Sequence, residues 1–418
     1  MNLRIRFVES WGRLDMKYDW KEYTVQELID LDMLEKPLDG NHGSIHPKTS
    51  DYVPAGVPFI MANNLIGGSV DLKNCAFITE KQAATLRKGF AKPGDVLITH
   101  KATIGRTAIV PNTYETIILT PQVTYYRVKK GIDNRFLKYY FDSPDFQATL
   151  NNWAGAGSTR AYLGITAQHK LPVVLPPLDE QKKIANLLGG IDEKIENNDE
   201  INKNLQDQME ALHRSWFIDY APFGGTKPSN WIKSDIYSIA NIIYGAPFAS
   251  KLFNTEGLGK PIIRIRDLKE QTFVTYTTEI HPKGHLIQPG DIVVGMDGEF
   301  RPYIWGNSEA WLNQRVCIFE SKLPSDKAFM LYTIKPLLNV IEQTQVATTV
   351  IHIGKKDYDT FEIVLPDRRT LDQFGEITIP MLERIVNNSI ENKKLAKLRD
   401  ALLPQLMSGE IDVSDVTF

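Results

Sequence analysis

Apolar residues recur at heptad spacing along two stretches of the chain, and this periodicity predicts two long helices. In the first stretch, expected to be helical from Asp179 to Trp216, the row consists of Ile184, Ile191, Asn198, Leu205 and Leu212. The second stretch repeats this row with Phe374, Met381, Asn388, Leu395 and Leu402. An asparagine replaces the apolar residue in the same layer of both rows. A matched polar layer is typical of a coiled coil whose register and partner are defined.

The two predicted helices most simply pair with each other. A duplicated unit that pairs with its own copy has approximate two-fold symmetry, so we expect an antiparallel coiled coil with the flanking lobes on opposite sides. The alternative is that the seam forms only the core of a helical hairpin. The length of the first helix, roughly 55 Å at about 1.5 Å per residue, and the matched asparagines favour a spacer.

Most of the remaining chain consists of short runs of β-branched and aromatic residues bounded by Gly, Pro and Asn, which predict strands. These runs occur twice, because the chain is duplicated, with an offset that takes Ile195 to Ile385. Pro93-Gly94-Asp95 recurs as Pro289-Gly290-Asp291, and Pro121-Gln122-Val123 is aligned with Asn313-Gln314-Arg315. The predicted fold class is therefore α+β, with two tandem strand-rich lobes that are each followed by a long helix.

The duplication also predicts the domain boundaries. Residues 1–176 form the first lobe, residues 177–222 the first long helix and a linker, residues 223–366 the second lobe, and residues 367–418 the second long helix and a C-terminal tail. The linker is rich in glycine and proline, which prevent a helix or a strand from continuing through it.

Charge divides the chain more clearly than composition does. With 418 residues, 42% hydrophobic and 24% charged, the chain has enough apolar material for two or three cores. The net charge of -3 is not typical of a nucleic-acid binder. Residues 80–175, however, hold 13 Lys and Arg against 6 Asp and Glu, residues 176–222 hold 5 against 10, and residues 223–365 hold 15 of each. A basic lobe is thus followed by an acidic helix and a neutral lobe.

The cysteines and the N-terminal residues indicate the compartment. Cys75 and Cys317 fit neither a disulfide framework nor a zinc-ligand pair, so we expect two buried thiols in a reducing, cytoplasmic environment. Charged residues interrupt the apolar ones between Met1 and Trp20, so no signal peptide is predicted there. No membrane span is predicted anywhere in the chain.

The sequence lacks the signatures of catalysis. The nearest approach to a phosphate-binding loop, Gly155 to Ser158, has no lysine, and no HExxH motif occurs. The pair His42 and His46 and the pair His281 and His285 have a metal-compatible spacing but lie in loop-like sequence. No NPPY-type or DPPY-type loop of an amino-methyltransferase is present. We therefore expect no catalytic residue, no metal and no cofactor bound by this chain.

Polar and basic clusters at matched loop positions fit DNA readout, because Arg or Lys suits guanine and Asn or Gln suits adenine. The predicted DNA-contacting residues are Lys101, Thr103, Arg106, Ser158, Thr159 and Arg160 in the first lobe and Arg301, Arg315, Thr349 and His352 in the second. The alternative for each is an ordinary solvated loop. Two further matched segments either contact DNA or lie on strands that support the site, through Asn63, Asn64, Arg264 and Arg266.

With these features the chain resembles the specificity subunits of type I restriction-modification systems. The resemblance spans essentially the whole chain and rests on LPPLDEQKKIANLLGGIDEKI (Leu175–Ile195), PGDVLITHKATIGRTAIV (Pro93–Val110), PGDIVVGMDGEF (Pro289–Phe300) and LRDALLPQLMSGEI (Leu398–Ile411). The second copy reads LPDRRTLDQFGEI where the first reads LPPLDEQKKI. This departure puts the contacts of the second copy to a methyltransferase subunit in doubt.

The resemblance implies that each lobe is a target recognition domain that reads one half of a bipartite site on double-stranded DNA. The paired helices then set the gap between the halves and dock two methyltransferase (modification) subunits, and restriction subunits complete the complex. S-adenosylmethionine, ATP and magnesium belong to those partners, and the chain itself is non-catalytic. Two alternatives stay open, namely a coiled-coil scaffold that does not bind DNA and a stand-alone DNA-modifying enzyme.

Overall fold

In the computed structural model the chain divides into two compact units. The structure describes residues 20–155, 161–344 and 352–416. Unit 1 comprises Met1–Asp192 together with Lys397–Phe418, and unit 2 comprises Glu193–Ala396. Each unit therefore combines one strand-rich lobe with segments of both long helices.

Unit 1 contains many short strands and several short helices. Its strands, within the described residues, are β1 (Lys21–Thr24), β2 (Leu38–Asp39), β3 (Val57–Ile60), β4 (Leu65–Ile66), β5 (Ser69–Val70), β6 (Ala76–Ile78), β7 (Phe90–Ala91), β8 (Val96–Lys101), β9 (Thr103–Ile109), β10 (Ile117–Leu119), β11 (Val123–Tyr126) and β12 (Pro172–Leu175). Its helices are α1 (Val25–Asp30), α2 (Glu80–Ala83), α3 (Asn134–Asp142), α4 (Pro144–Trp153), α5 (Ile165–Gln168), the beginning of α6 (Leu178–Phe217) and the end of the second long helix.

Two four-stranded sheets form the lobe of unit 1, with the orders β6-β3-β10-β7 and β2-β11-β8-β9. β3 and β10 run parallel, whereas β8 pairs antiparallel with both β9 and β11. β1 pairs with β12 just before α6 begins. Buried side chains of α3 and α4, such as Phe136 and Phe146, pack in one core with Ile184 of α6.

Unit 2 repeats this plan. Its strands, within the described residues, are β13 (Ile232–Asp235), β14 (Ala240–Tyr244), β15 (Phe253–Asn254), β16 (Lys260–Ile263), β17 (Tyr276–Thr277), β18 (Leu286–Ile287), β19 (Ile292–Gly295), β20 (Pro302–Ile304), β21 (Ala310–Leu312), β22 (Val316–Ser321) and β23 (Glu362–Leu365). Its helices are α7 (Lys327–Thr344), α8 (Lys355–Tyr358), most of α9 (Arg368–Met407) and the rest of α6. The sheet orders are β14-β22-β19-β20 and β15-β17-β16-β21-β18, and β13 pairs with β23.

The same turn chemistry precedes β8 in unit 1 and β19 in unit 2. Gly94 and Gly290 have φ angles of +85° and +92°, which glycine adopts without steric cost. The following aspartates close the turns, because Asp95 accepts a hydrogen bond from the backbone N–H of Lys92 and Asp291 accepts one from that of Gln288, each at 2.7 Å. The matched PGD motifs thus produce matched turns.

Backbone hydrogen bonds correct one detail of the predicted alignment. The N–H of Thr120 donates to the carbonyl of Ile60 at 2.9 Å, and in unit 2 the N–H of Asn313 donates to Ile263 at 3.3 Å. Thr120 therefore corresponds to Asn313, and Gln122 corresponds to Arg315 rather than to Gln314. The predicted pairing of Pro121-Gln122-Val123 with Asn313-Gln314-Arg315 was wrong by one residue, because the small insertions between the motifs leave the register undetermined in the sequence.

Both long helices contain 40 residues. The first matches the predicted helix from Asp179 to Trp216 to within one residue at each end. None of the nine predicted pairing residues is exposed: Ile184, Ile191, Asn198 and Asn388 are buried, and Leu205, Leu212, Met381, Leu395 and Leu402 are half-buried. These positions therefore face other parts of the protein.

Within unit 2, asparagine side chains join α6 to α9. Asn198 Nδ2 donates to Asn392 Oδ1 at 2.8 Å, and Asn388 Nδ2 donates to Asn202 Oδ1 at 2.9 Å. A step forward along α6 is thus a step backward along α9, so the two segments run in opposite directions. All four side chains are buried. These bonds satisfy polar groups that would otherwise lie unpaired in an apolar seam.

The end of α9 and the residues after it complete the core of unit 1. Leu406 and Val413 are fully buried there, beside side chains contributed by the segment Met1–Asp192. Unit 1 is therefore discontinuous in sequence.

Candidate nucleic-acid interface

In unit 1 the predicted residues Lys101 and Thr103 lie opposite each other at the tip of the β8–β9 hairpin. Ala102 between them has a φ of +65°, a left-handed conformation that closes this tight turn. All three residues are exposed. The tip therefore projects a cationic and a hydroxyl side chain into solvent.

Neighbouring chain segments meet the base of this hairpin. The N–H of His100 donates to the carbonyl of Gln122, and the N–H of Leu163 donates to the carbonyl of His100, both at 3.0 Å. Lys101 pairs with Tyr162 through an isolated β-bridge. We refer to Lys101, Gln122 and Tyr162 as the first surface triplet.

Unit 2 reproduces this backbone arrangement. The N–H of Met296 donates to the carbonyl of Arg315, and the N–H of Ile353 donates to the carbonyl of Met296, both at 2.9 Å. Asp297 forms the corresponding bridge with His352. We refer to Asp297, Arg315 and His352 as the second surface triplet.

The side chains of the second surface triplet converge. Arg315 Nη1 lies 2.9 Å from His352 Nδ1 and 3.2 Å from its Nε2, and Arg315 Nε lies 3.6 Å from a carboxylate oxygen of Asp297. His352 Nδ1 lies 2.7 Å from the other oxygen of Asp297. The side chains of Arg315 and His352 keep 51% and 47% exposure. The structure thus brings together two of the predicted residues and adds a carboxylate that contacts both.

A buried histidine lies beneath the first surface triplet. The His100 ring, 5.8 Å from that of Tyr162, has its Nδ1 2.8 Å from Thr124 Oγ1. Burial lowers the pKa of His100 to about 4, although Asp39 at 4.0 Å opposes this effect. Burial also raises the pKa of Asp39, but hydrogen bonds led by that from Lys88 leave it below its ordinary value. His100 is therefore a neutral structural support at pH 7.

Arg106 lies further along β9, beside a cleft of about 640 Å³ in unit 1. Its backbone N–H donates to Thr99 Oγ1 at 2.9 Å, and its Nη1 donates to the carbonyl of Ala62 at 3.4 Å. Lys138 of α3 and Arg399 of α9 line the same cleft. Asp142 and Asp400 line it too and form ion pairs with Lys138 and Arg399, at 2.9 and 2.8 Å, so Arg106 is the cation of this cleft that is held by a carbonyl.

Arg301 borders a cleft of about 940 Å³ in unit 2, and its guanidinium contacts two carboxylates. Its Nη2 lies 3.4 Å from Glu342 and its Nε lies 3.5 Å from Glu299. Lys335 and Glu210, which line the same cleft, form an ion pair at 2.7 Å. The two matched arginines thus differ in their own contacts, since carboxylates contact Arg301 and a backbone carbonyl contacts Arg106, and Arg301 does not join Arg315 and His352.

Four of the predicted DNA-contacting residues, Ser158, Thr159, Arg160 and Thr349, fall outside the described residues.

Asn63, Asn64, Arg264 and Arg266 were predicted either to contact DNA or to lie on supporting strands. The strand alternative was wrong, because short 3-10 turns contain Asn63, Asn64 and Arg266, and Arg264 caps the second turn. In each turn the last side chain, Asn64 or Asp267, accepts a hydrogen bond from the backbone N–H three residues earlier. This local bonding favours a turn over a strand.

Sequence reasoning did not select Gln122, Tyr162 or Asp297 as site residues. Tyr162 and His352 share the offset that relates Ile195 to Ile385, so that pair was detectable from the duplication. Gln122 was not, because it aligns with Arg315 only after the backbone hydrogen bonds are known. Asp297 appears as one acidic residue of a loop until the structure places it against Arg315.

The described residues were also compared with the requirements of a metal site and of a membrane-spanning helix. Within residues 20–155, 161–344 and 352–416, no group of three or more His, Cys, Asp or Glu side chains is arranged to hold a metal ion. None of the helices in the same ranges has the length and apolar character needed to cross a membrane.

Comparison with known proteins supplies the family. The model of the type I restriction modification DNA specificity domain matches residues 17–207 and 228–399. The MjaIX specificity subunit of a type I restriction enzyme from Methanocaldococcus jannaschii is 25% identical over 368 residues, which are 81% of this chain and 82% of that protein. The EcoBI specificity subunit from Escherichia coli is 29% identical over 194 residues, 45% of this chain and 41% of that protein.

A solved structure has the same fold. The S subunit of a type I restriction-modification system from M. genitalium aligns with 94% of this chain and 98% of its own, with a TM-score of 0.58 and 14% sequence identity. At this identity the likeness concerns the fold alone.

Proposed function

We propose that this chain, which belongs to the type I restriction modification DNA specificity family, reads a bipartite DNA site with one lobe for each half. The family is one of non-catalytic specificity subunits, and catalysis lies in the partner subunits. DNA recognition by the chain follows from that membership. The finer statements on the two half-sites, the helices and the contact residues are our proposal.

One observation supports the proposal that each lobe reads a different half of the DNA site. Matched backbone hydrogen bonds present three side chains at the edge of each lobe, yet the residues differ completely between Lys101, Gln122 and Tyr162 on one side and Asp297, Arg315 and His352 on the other. A shared scaffold with different exposed side chains suits two lobes that recognise different DNA words. Base edges then provide specificity, and cations such as Arg106 provide affinity through phosphates.

The proposed DNA-contacting residues are those selected from the sequence: Lys101, Thr103, Arg106, Ser158, Thr159, Arg160, Arg301, Arg315, Thr349 and His352. The proposed recognition domains are residues 1–176 and 223–366. The environments of Arg106 and Arg301 suggest unequal roles, since Arg301 is already held by Glu299 and Glu342. We assign phosphate contact mainly to the basic first lobe.

The two long helices are proposed to form an antiparallel coiled coil with pseudo-two-fold symmetry that acts as a spacer and docks methyltransferase subunits. The asparagine bonds within unit 2 support this arrangement. A buried polar layer disfavours shifted registers, because any shift leaves amides unpaired in an apolar seam. A fixed register is what a spacer between two half-sites requires.

Two modification subunits and the restriction subunits are the proposed protein partners, acting on DNA in the cytoplasm. S-adenosylmethionine, ATP and magnesium are proposed to be bound by those partners.

Mapping DNA methylation tests the proposal. The chain is expressed with its modification subunits in a host that lacks DNA methylation, and the methylated bases of the genome are mapped. We expect methylation at two short words separated by a constant gap, and only when the chain is present. Methylation at a single uninterrupted word, or methylation that does not depend on the chain, would contradict the proposal.

A further inference from the structure

Arg315 is held in a fixed direction without being covered. Its guanidinium contacts His352 through Nη1 and lies 3.6 Å from Asp297 through Nε, while half of the side chain remains exposed. Contacts on two sides restrict the rotamers of a long side chain, so less conformational entropy is lost when it binds. The residue is therefore pre-organised for a ligand outside the protein.

The charge beside Arg315 selects the kind of ligand. Asp297 compensates the guanidinium charge and would itself repel a phosphate, so a neutral acceptor surface is favoured over the DNA backbone. In the major groove, guanine presents two such acceptors, O6 and N7, and the fork of an arginine bonds both at once. Arg106 provides the contrast, because its guanidinium bonds the neutral carbonyl of Ala62 and its charge is not compensated by a carboxylate contact like that of Asp297.

Gln122 occupies the same backbone position in unit 1. Its carbonyl accepts the hydrogen bond from His100 that the Arg315 carbonyl accepts from Met296, and its side chain is partly exposed. A carboxamide carries one acceptor and one donor group, which match N6 and N7 of adenine. The two lobes thus carry, at one shared position, the residue types suited to different purines.

We infer that this shared position determines sequence specificity, with Arg315 reading a guanine in one half-site, Asp297 and His352 positioning it, and Gln122 reading an adenine in the other half-site. The inference rests on the proposed function, because it assumes that each lobe reads one word. It goes further by naming one residue and one base for each word.

The test exchanges the two residues in the intact complex with the modification subunits. Arg315→Gln is expected to reduce the preference for guanine at one position of one word by about 5- to 150-fold, since a bidentate pair discriminates by roughly 1–3 kcal/mol. The other word stays unchanged. Gln122→Arg is expected to affect one adenine of the other word only. Lys233→Gln, which removes a cation from a side chain that is 85% exposed in β13, is the matched control and leaves both words intact.

Binding to modified DNA tests the contact directly. Replacing each guanine of the site by 7-deazaguanine removes N7, and for the unaltered complex one such replacement in one word should weaken binding. The Arg315→Gln complex should not respond to that replacement. Asp297→Asn, which keeps the shape but removes the charge, should weaken binding to the cognate word and retain its identity.

Three results would overturn the inference. Arg315→Gln could leave the methylated motif unchanged, it could weaken all sequences equally, or its complex could respond to 7-deazaguanine as the unaltered complex does. If Arg315→Gln fails to assemble, the deazaguanine series on the unaltered complex still decides, since no single sensitive guanine in either word would refute the contact. Failure of the proposed function looks different, because the unaltered complex would then give no two-word motif.

Discussion

Between pH 7.5 and pH 5, protonation linked to His213 is expected to lower the free energy of unfolding of unit 2 by about 2 kcal/mol. Replacing His213 with leucine should abolish this loss. His213 lies on α6 with 7% exposure, and its ring centroid is 5.3 Å from that of Phe217 and 5.8 Å from that of Phe329. Burial lowers its pKa from 6.5 to about 4. Below pH 6.5 the unfolded chain therefore binds a proton that the folded chain does not, and stability falls as the pH approaches 4.

The magnitude follows from the two pKa values. A pKa difference of about 2.5 lowers the free energy of unfolding by about 3.5 kcal/mol once the pH is well below 4, at about 1.4 kcal/mol for each pKa unit. Lowering the pH from 7.5 to 5 reduces the free energy of unfolding by about 2 kcal/mol of this total. Above pH 6.5 the neutral ring contributes fully, and the polar contact that leucine would remove is the one between Nε2 and Thr333 Oγ1 at 3.2 Å. That loss is about 1 kcal/mol.

Urea unfolding of the full chain at pH 7.5 and pH 5 measures the effect, with and without His213→Leu. Hydrogen exchange in α7 assigns the change to unit 2. Leucine is an apt replacement, because Leu403 stands at the position that matches His213 in the duplication and is buried. His100 titrates alike in both proteins and cancels from the difference. If the variant lost as much stability between the two pH values as the unaltered chain, the assignment of a neutral buried imidazole would be wrong.

Three further substitutions probe other contacts. Asn202→Leu alone should lower the free energy of unfolding in urea by about 1–3 kcal/mol, because it leaves the buried Asn388 amide without its acceptor. The double change Asn202→Leu and Asn388→Leu should recover most of that loss. Additive losses would exclude the pairing. Asp95→Ala should cost about 1–3 kcal/mol, because it removes the ion pair of Arg127 at 2.7 Å while Glu35 and the Phe90 carbonyl still contact the guanidinium, and an unchanged thermal midpoint would contradict this. Arg106→Ala should weaken DNA binding alike on all sequences and lower the slope of log affinity against log salt by about 1, so a loss confined to the cognate site would argue against a phosphate contact.

Periodicity and duplication predicted much of the fold. The heptad row through Ile184 and Leu205 located α6, because an amphipathic pattern sustained over the whole of that helix leaves little ambiguity between helix and strand. Matched Pro-Gly-Asp turns located β8 and β19. The short strands that flank them depend on backbone partners far away in sequence, so their register was beyond the reach of local patterns.

The candidate site was less accessible to sequence reasoning. Arg315 and His352 were selected from residue type, and their meeting depends on a bridge between His352 and Asp297, which lie far apart in the sequence. Arg106 and Arg301 looked alike in sequence. They differ because Glu342 of α7 reaches one and the described contacts of the other include no carboxylate. Electrostatic surroundings of this kind arise from tertiary packing, which residue type alone does not reveal.

The discontinuity of unit 1 has a consequence for biosynthesis. Leu406 and Val413 belong to its core, yet the ribosome adds them only after every residue of unit 2. The lobe that is translated first is therefore the lobe that is finished last, in contrast to the usual order of N-terminal domains. A nascent chain interrupted inside α9 would carry an unfinished apolar surface, which chaperones and proteases recognise, and only an uninterrupted translation product would escape them.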